Sequence, residues 1–562
     1  MASRKEHGGE PNLFNALKRE EQFAKLQAEE FDLLIIGGGI TGAGIALDAV
    51  SRGVKTALVE MQDFAAGTSS RSTKLVHGGL RYLKQLEIGV VAEVGKERAI
   101  VYENGPHVTT PEWMLLPIYK GGTFGKFSTS LGLRLYDFLA GVKRAERRKM
   151  VDANEAIRLE PLLKKQGLKG GGYYVEYRTD DARLTIEVMK KAVELGACAI
   201  SYVKAQSLLY EDGRVAGAEL RDQLTGKIGQ VKAKVTINAA GPWVDTIREI
   251  DGSKSGKTLH HTKGVHLVFD QRRFPLGQAI YFDSADGRML FAIPRDGKTY
   301  IGTTDTDYRS DLAHPRMTAE DRQYILKAAN EMFPTLALKA EDVESSWAGV
   351  RPLIHQEGKS PSEISRRDEV LTSPSGLLSM AGGKLTGYRK MAETAMDQAA
   401  ALLAKMGKEG IGESQTLTLP ISGGDVGGSD GYPSFVAEHT SAAVAAGLAK
   451  LDAERLVRRY GSNMAAVLRL MPEAQEEAIR RQLPVTLLLE LLYAIRYEMA
   501  CKPADFWIRR SGSLLFDRSR VIRWKDGVHR YMAELFGWSA GLSAAYKEEL
   551  ERELQLAVTP SE

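Results

Sequence analysis

The sequence is poor in cysteine, in long apolar runs and in net charge, and each shortage excludes a class of protein. Its 562 residues include two cysteines, Cys198 and Cys501, so neither a disulfide framework nor a cysteine-rich metal cluster is expected. The sequence has no run of about 18 apolar residues, the length that spans a bilayer as a helix. A net charge of +4 is too small for such a chain to indicate nucleic-acid binding. The composition therefore predicts a globular protein in a reducing, cytoplasmic setting.

The length predicts several structural units and no single core. A chain of 562 residues corresponds to about three or four domains, and no internal repeat is evident. Residues 1–29 have neither the apolar core of a signal peptide nor the composition of a transit peptide. They predict an amphipathic lead-in helix that packs on the next domain.

A glycine motif in the segment 31–60 organises the rest of the chain. A short apolar run leads into Gly37, Gly39 and Gly42, which form G-x-G-x-x-G before a helix and a second buried strand that ends at Glu60. In such a unit the first glycine allows a tight turn, the second admits a pyrophosphate, and the third lets the helix pack on the strand. Glu60 can accept hydrogen bonds from a ribose diol and would repel a 2′-phosphate. The sequence therefore predicts a Rossmann-type α/β domain that binds FAD or NAD and not NADP.

The next segment, residues 61–83, is rich in hydroxyls and glycine. Its hydroxyls and backbone N–H groups can bind phosphate and the polar edge of a flavin. The histidine in this segment is either a packed, hydrogen-bonded side chain or a catalytic one. The cofactor-binding candidates here are Thr68, Ser69, Ser70, His77 and Gly78.

Two later segments return to the same domain, each with small residues after a buried strand. A strand over 231–240 and another over 377–381 end in glycine turns, and the second turn opens a helix. Small residues at the carboxyl end of a strand suit the ligand crevice of an open α/β sheet. A second glycine turn at a helix N-terminus can also stabilise negative charge on a reduced flavin, which favours FAD over NAD. The candidates are Ala240, Gly241, Gly382, Gly383, Lys384, Leu385 and Thr386.

Between these segments the pattern changes to short alternating strands. Residues 256–345 predict an antiparallel sheet that covers a flavin, and it contains His260, His261 and His266. No acid–histidine spacing matches a zinc site, so no metal is expected. After a polar linker at 406–431, the segment 432–562 predicts a helical domain.

The predicted domains are discontinuous in sequence. The FAD-binding domain comprises residues 30–110, 165–255 and 346–405, and the substrate domain comprises residues 111–164 and 256–345. In the C-terminal helical domain an ion-pair network is predicted among Glu498, Arg509, Arg510 and Arg518.

A basic, apolar-faced stretch at 113–149 allows two interpretations. Such a segment is typical of a contact with an anionic membrane surface. A core helix followed by a solvated charged loop would give the same composition.

Several of these segments resemble one family. GGGITGAGIALDAVSRG and GTSSRSTKLVHGGLRYL resemble the FAD-dependent glycerol-3-phosphate dehydrogenases, which belong to the D-amino-acid-oxidase-like flavoprotein group. The resemblance continues in NAAGPWVD, HTKGVHLVF, IPRDGKTYIGTTDTDY, WAGVRPL and MAGGKLTGYRKMAE, and covers most of the chain from residue 30. It implies oxidation of sn-glycerol 3-phosphate to dihydroxyacetone phosphate by hydride transfer to FAD, with Val203 near the adenine.

The resemblance also implies roles for individual residues. His266 is expected to be the base that takes the hydroxyl proton, with His77 the second choice. Arg351 or Lys384 would stabilise the developing alkoxide. The expected ligands of the substrate phosphate are Arg81, Arg351, Arg367 and Lys384, whose charge-assisted hydrogen bonds are worth roughly 1.5–3 kcal/mol each.

The fate of the electrons is open in this family. Dehydrogenases pass them to a membrane quinone, which implies a cytoplasmic enzyme peripheral on the inner face of the cell membrane, whereas related oxidases pass them to oxygen and make hydrogen peroxide. A homodimer is compatible with the sequence. Alternatives of other kinds are an NAD-dependent dehydrogenase, a non-enzymatic flavin-binding module and a flavin amine oxidase.

Overall fold

The computed structural model of the protein describes residues 14–77, 88–122, 147–355 and 368–561. The strands are β1 (Glu30–Ile36), β2 (Thr56–Val59), β3 (Leu75–Val76), β4 (Thr109–Tyr119), β5 (Lys149–Val151), β6 (Leu168–Thr179), β7 (Cys198–Ile200), β8 (Val203–Glu211), β9 (Arg214–Asp222), β10 (Ile228–Asn238), β11 (Leu259–Asp270), β12 (Ala279–Asp283), β13 (Met289–Arg295), β14 (Lys298–Gly302), β15 (Thr306–Asp307), β16 (Val343–Ile354), β17 (Glu369–Thr372) and β18 (Leu378–Ala381).

The α-helices are α1 (Arg19–Ala28), α2 (Ile40–Ser51), α3 (Ile88–Asn104), α4 (Ala153–Leu159), α5 (Asp181–Glu194), α6 (Val244–Ile250), α7 (Ala319–Met332), α8 (Tyr388–Lys405), α9 (Gly428–Ala445), α10 (Lys450–Tyr460), α11 (Met464–Arg469), α12 (Met471–Arg481), α13 (Val485–Tyr497), α14 (Ser513–Phe516), α15 (Arg518–Phe536) and α16 (Ala540–Leu556). Short 3₁₀ turns occupy Ala16–Lys18, Thr68–Ser70, Gly241–Trp243, Ala340–Asp342, Leu385–Gly387 and Gly461–Asn463, and Asp505–Arg510 forms a π-helical turn.

The strands form two sheets. The first has the order β17-β18-β10-β1-β2-β7, with the β8–β9 hairpin attached to β10. Its neighbours β18, β10, β1, β2 and β7 are parallel. The second sheet has the order β15-β11-β14-β13-β12-β4-β6-β3, with β16 paired to β11 and β5 to β6, and most of its pairs are antiparallel. The predicted α/β unit with an antiparallel companion sheet is confirmed.

The first sheet carries the glycine motif because β1 is apolar along almost its whole length. Every residue of β1 after Glu30 is buried, as expected for a parallel strand covered by helices on both faces. Gly39 is the N-cap of α2, and the packed face of this helix includes Ala43, Ala46 and Leu47. The predicted strand–turn–helix therefore forms.

Two strands lie in a different sheet from the one that the sequence indicated. Segments 165–255 and 346–405 were assigned to the nucleotide-binding unit, but β6 pairs with β4 along its length and β16 pairs with β11. Both strands are locally indistinguishable from buried strands of the first sheet, since the pattern of one strand does not specify its partner. The second sheet therefore takes strands from both sequence regions.

The C-terminal region is helical, as predicted. Its central helix α13 is buried from Leu487 to Ile495 without interruption, and it packs against α11 and α12. At the other end of the chain, Phe14 stacks on Phe64 with ring centroids 5.3 Å apart. The buried Arg19 forms an ion pair of 2.9 Å with Asp222, so the lead-in helix α1 is fixed to the body.

The basic stretch at 113–149 is only partly described. Residues 113–119 lie in β4, where Met114, Leu115 and Leu116 are fully buried, so this part belongs to the core. Residues 123–146 lie outside the described residues. None of the helices in the described ranges combines the length and apolar character needed to span a membrane.

Candidate active site

A cavity of about 460 Å³ is lined by residues of both sheets. On one side it meets the carboxyl ends of β1, β2, β10 and β18. The strand register brings these ends to one edge, because Ile36 lies opposite both Val59 and Asn238, and Asn238 lies opposite Ser379. This edge is where an open α/β sheet binds its ligand.

The first turn requires glycine because other backbone segments lie too close to it for a side chain to fit. Gly37 has φ = +120°, and a Cβ atom there would lie 2.5 Å from the carbonyl oxygen of Ala239. A Cβ on Gly42 would overlap the carbonyl oxygen of Gly37, so this glycine packs α2 on the turn. Gly37 and Gly39 line the cavity. The three glycines thus divide into two that border the cavity and one that supports them.

Glu60 lies at the end of β2, at the wall of the cavity. Its carboxylate accepts hydrogen bonds from the backbone N–H of Gly38 at 2.7 Å and of Gln62 at 2.8 Å. Burial raises its pKa above the ordinary value for glutamate. The same carboxylate that the sequence assigned to a ribose diol therefore also fixes the glycine turn.

The hydroxyls of the loop after β2 have structural partners. Thr68 Oγ1 donates to the carbonyl of Val350 at 2.7 Å, and Ser69 Oγ accepts from the N–H of Ile40 at the start of α2 at 2.9 Å. Thr68 and Ser69 line the cavity, whereas Ser70 is buried beside it and does not border it. The hydroxyl-rich loop thus joins α2 to the second sheet while it forms a wall of the cavity.

His266 projects from β11 into the opposite side of the cavity. It is 1% exposed, and its ring stacks on its cross-strand neighbour Trp347 with centroids 4.7 Å apart and planes 9° from parallel. Its Nε2 lies 3.0 Å from Thr73 Oγ1, and its buried Nδ1 has no hydrogen-bond partner within the described part of the chain. Burial, followed by the charges of Arg351 and Lys74, holds the His266 pKa well below the usual histidine range. The imidazole is therefore neutral and oriented.

Arg351 crosses the cavity wall from β16. It donates to Asp305 Oδ1 at 3.0 Å and to Thr303 Oγ1 at 2.9 Å. A Cβ on Gly264 would overlap both the Arg351 guanidinium and the Thr303 hydroxyl. The guanidinium can lie against β11 because this position is glycine.

The second glycine turn closes the cavity between the sheets. Thr386 Oγ1 lies 3.0 Å from the backbone N of His77 and 3.1 Å from its carbonyl oxygen, which joins the hydroxyl-rich loop to the start of α8. The predicted cofactor-binding residues that line the cavity with His77 are Val203, Ala240, Gly241, Gly382, Gly383, Lys384, Leu385 and Thr386. The structure thus brings together residues from four separate sequence segments.

Some predicted site residues fall outside the described part of the chain. These are Gly78, Arg81 and Arg367. Within the described ranges, no group of three or more histidine, cysteine, aspartate or glutamate side chains could hold a metal ion.

Two residues that line the cavity, Arg71 and Thr73, and one that contacts its wall, Asp305, were not singled out from the sequence. Arg71 donates to the carbonyl of Ala313 at 3.0 Å and has its pKa lowered to about 10 by burial. Thr73 contacts His266, and Asp305 holds Arg351. All three lie inside the quoted motifs, but nothing in the local pattern separates them from their neighbours.

The fold and this cavity define a dinucleotide-binding oxidoreductase with a parallel-sheet nucleotide domain and a covering antiparallel sheet. Residues 32–389 match the family described as FAD dependent oxidoreductase, and residues 414–541 match the C-terminal domain of alpha-glycerophosphate oxidase. The chain is 60% identical over 549 residues to the aerobic glycerol-3-phosphate dehydrogenase of Bacillus subtilis, covering 98% of this chain and 99% of the relative. The chain belongs to the FAD-dependent oxidoreductases and, among them, to the aerobic glycerol-3-phosphate dehydrogenase family.

Solved structures agree with this assignment. The glycerol-3-phosphate dehydrogenase of Bacillus halodurans, solved in complex with FAD, is 50% identical with a TM-score of 0.85 and covers 97% of this chain and 99% of its own. The L-alpha-glycerophosphate oxidase of Mycoplasma pneumoniae is 16% identical with a TM-score of 0.53, covering 67% of this chain and 95% of its own, and shows the shared fold.

The residues present fit FAD as the cofactor. Gly37 and Gly39 place backbone without side chains at the wall of the cavity, where a pyrophosphate can approach it. Glu60 supplies an acceptor at the end of the second strand, and the turn at 382–386 lies across the same cavity. The predicted cofactor is thus consistent with the chemistry of the groove.

Proposed function

We propose that the protein oxidises sn-glycerol 3-phosphate to dihydroxyacetone phosphate and passes the electrons to a membrane quinone. The observation that carries this proposal is His266, a buried neutral imidazole in the wall of a cavity that also contains cationic side chains. Oxidation of the C2 alcohol needs a base for the hydroxyl proton and an acceptor for the C2 hydride. When bound, FAD supplies the hydride acceptor.

His266 is the base in this proposal. A neutral imidazole can take the hydroxyl proton, and the stack on Trp347 together with the contact to Thr73 restricts its ring to one orientation. His77 is the second candidate, since it lines the same cavity. Its backbone contacts Thr386 Oγ1, and its ring makes an edge contact with Phe291, with ring centroids 5.9 Å apart.

Cationic side chains of the cavity recognise the phosphate and the developing alkoxide. Arg351 and Lys384 line the cavity, and the proposal assigns these roles to them. The guanidinium of Arg71 is a third cationic group in the same cavity. Arg81 and Arg367 keep their predicted phosphate-binding roles. A planar guanidinium suits the oxygens of a phosphate dianion, which favours a phosphorylated polyol over an amino acid.

The cofactor would be held along the groove from the first glycine turn to the second. Gly37, Gly39 and Glu60 would bind the pyrophosphate and ribose, and Val203 would lie near the adenine. The turn at 382–386 would face the reacting end.

The quinone acceptor and the location on the inner face of the cell membrane are supported by the family resemblance and by the basic composition of 113–149. A glycerol-3-phosphate oxidase that reduces oxygen is the alternative. Association as a homodimer stays a prediction of the sequence.

The decisive experiment is anaerobic mixing of the yellow holoenzyme with sn-glycerol 3-phosphate. We expect the flavin absorbance to bleach, and to return faster with a soluble quinone analogue than with oxygen. Glycerol without the phosphate is the matched control and should bleach the flavin far more slowly. Reoxidation by oxygen at the rate of turnover, with hydrogen peroxide formed, would establish the oxidase instead.

Replacement of Gly264 by alanine should displace Arg351 with little effect on the fold. The added methyl group meets the end of a flexible side chain and one hydroxyl, so the fold can adjust by moving the guanidinium. The loss of one charge-assisted contact predicts a fall of about ten- to a hundredfold in kcat/KM for glycerol 3-phosphate. Steady-state kinetics and thermal unfolding measure the two effects.

Gly277 provides the matched control for this substitution. A Cβ there would be no closer than 3.9 Å to its nearest neighbour, so Gly277→Ala should leave kcat/KM unchanged. An unchanged kcat/KM in a folded Gly264→Ala variant would remove Arg351 from the proposed mechanism.

A further inference from the structure

The loop that follows β2 contains a fully buried carboxylate, Asp63, whose counter-charges come from the C-terminal helical domain. Arg510 binds it with both terminal nitrogens, at 2.8 and 2.9 Å, and Arg509 binds it through Nε. Asp63 is 0% exposed. We call the group formed by Asp63, Asp505, Arg509 and Arg510 the Asp63 clamp.

The loop held by the clamp is part of the cofactor groove. Glu60, three residues before Asp63, lines the cavity, as do Met61 and Ala66. The N–H of Ala65 donates to the carbonyl of Gly38 at 3.0 Å, and the Glu60 carboxylate accepts from the N–H of Gly38. A displacement of Asp63 would therefore move both the acceptor predicted for the ribose and the glycine turn.

The C-terminal side of the clamp is constrained in an unusual way. Adjacent side chains on an α-helix point about 100° apart, yet Arg509 and Arg510 reach the same carboxylate. Both lie in the π-helical turn Asp505–Arg510, a geometry that is often associated with functional sites. Two backbone N–H groups, of Cys501 and Lys502, donate to Asp505 and fix the start of this turn.

A second contact of the clamp reaches the adenine side of the groove. Asp505 Oδ1 accepts hydrogen bonds from Tyr202 Oη at 2.6 Å and from Arg509 at 2.9 Å. Tyr202 directly precedes Val203, which lines the cavity, and the N–H of Val203 donates to the carbonyl of Glu60 at 2.7 Å. The clamp therefore holds two neighbouring segments of the groove wall.

The buried charges of the clamp are better explained by positioning of the loop than by a contribution to the stability of the fold alone. Burial opposes ionisation of Asp63, but the guanidiniums of Arg510 and Arg509 outweigh it and hold its pKa below the ordinary aspartate value. Buried ion pairs add little net stability relative to apolar packing of the same volume. Their directional hydrogen bonds instead select one conformation of the loop.

We propose that the Asp63 clamp makes the C-terminal helical domain a positioning part of the FAD site, by fixing the loop at 60–66 and thereby the affinity for the adenosine end of the cofactor. Asp63, Arg509 and Arg510 are positioning residues in this proposal, because they act on FAD through Glu60 and the glycine turn.

The test measures the dissociation constants of FAD and ADP for the full-length apo-protein, by quenching of flavin fluorescence and by ADP competition. Asp63→Asn and Arg510→Gln should each weaken FAD and ADP by the same factor, about tenfold. ADP carries only the adenosine end, so an effect on FAD without an effect on ADP would overturn the assignment. An unchanged FAD constant in folded Asp63→Asn would overturn it as well.

Glu490 provides a matched control inside the C-terminal domain. It is a buried carboxylate, 1% exposed, that binds Arg455, Arg459 and Arg520. Glu490→Gln should lower the temperature of thermal unfolding but leave FAD binding unchanged in the folded protein. An equal loss of FAD affinity in this variant would mean that the clamp acts only through general stability, and would overturn the proposal.

A milder variant covers the case in which Asp63→Asn does not fold. Arg510→Lys keeps the charge but loses the two-nitrogen contact, and it should weaken FAD and ADP by an intermediate, equal factor. Unchanged constants in Arg510→Lys would count against the clamp.

Discussion

His266→Ala should slow the reduction of the bound flavin by glycerol 3-phosphate by about 100- to 10,000-fold, the range for loss of a general base. The imidazole is buried, stacked on Trp347 and in contact with Thr73, so its removal takes away a base that the protein holds in one orientation. Anaerobic rapid mixing, followed at the flavin absorbance, measures this step separately from reoxidation. An unchanged single-turnover rate would remove His266 from the mechanism.

His260 offers a matched control on the same strand. It pairs with Asp307 at 2.9 Å at a partly exposed position, and it does not line the cavity. His260→Ala should therefore retain the rate of flavin reduction, and a loss as large as that of His266→Ala would indicate disruption of β11 rather than removal of a base.

The pH dependence follows from the direction of the His266 pKa. Because burial and neighbouring cations keep this pKa well below 6.5, the base stays neutral as the pH falls through the ordinary histidine range, and the rate should not decline there. The unfolded chain does bind a proton near pH 6.5. His266 therefore lowers the stability of the folded state progressively below that pH, and His266→Ala should lack this contribution.

Gly42→Ala should weaken cofactor binding strongly. Its Cβ would overlap the carbonyl oxygen of Gly37, a backbone atom that cannot move without opening the turn between β1 and α2. Overpacking of this kind costs about 3 kcal/mol or more, which corresponds to about a hundredfold or greater loss of FAD affinity if the strain is confined to the turn. The measurements are flavin content after purification and thermal unfolding.

Gly541, in α16, supplies the control for this substitution. No atom lies within 4 Å of a Cβ placed there, so Gly541→Ala should be neutral or slightly stabilising. Stoichiometric flavin in purified Gly42→Ala would contradict the role assigned to this glycine.

The residues of the groove could be predicted from the sequence where they belong to one short, contiguous strand–turn–helix segment. In the nucleotide-binding unit the strand, the glycine turn and the helix follow one another directly in the sequence, and the acidic residue ends the next strand of the same unit. Gly37, Gly42 and Glu60 could therefore be assigned from their spacing. His266 and Arg351 were found because each lies in a motif of the family. The helical character of the C-terminal domain followed from its periodicity.

What the sequence could not specify depends on contacts between distant segments. Strands β6 and β16 have the composition of buried strands in either sheet, and only tertiary pairing decides between them. The sequence predicts Ser69 as a cofactor-binding residue, and its hydrogen bond to the first N–H of α2 is visible only in three dimensions. The predicted network of Glu498, Arg509, Arg510 and Arg518 was correct only in part. Arg510 lies 3.9 Å from Glu498, but the main partner of Arg509 and Arg510 is Asp63, in another domain, and no ion pair joins Arg518 to these residues in the described part of the chain.

The distance along the chain between Asp63 and its arginines has a consequence for biosynthesis. The partners are separated by 446 and 447 residues, and a ribosome adds roughly 5–20 residues per second. A nascent chain therefore carries the carboxylate for about 20 to 90 s before either guanidinium has been synthesised. Until then Asp63 lacks these counter-charges, and the contacts that hold the loop at 60–66 to the C-terminal domain form only when almost the whole chain has been made. A chain that ends before Arg509 therefore lacks both counter-charges of Asp63.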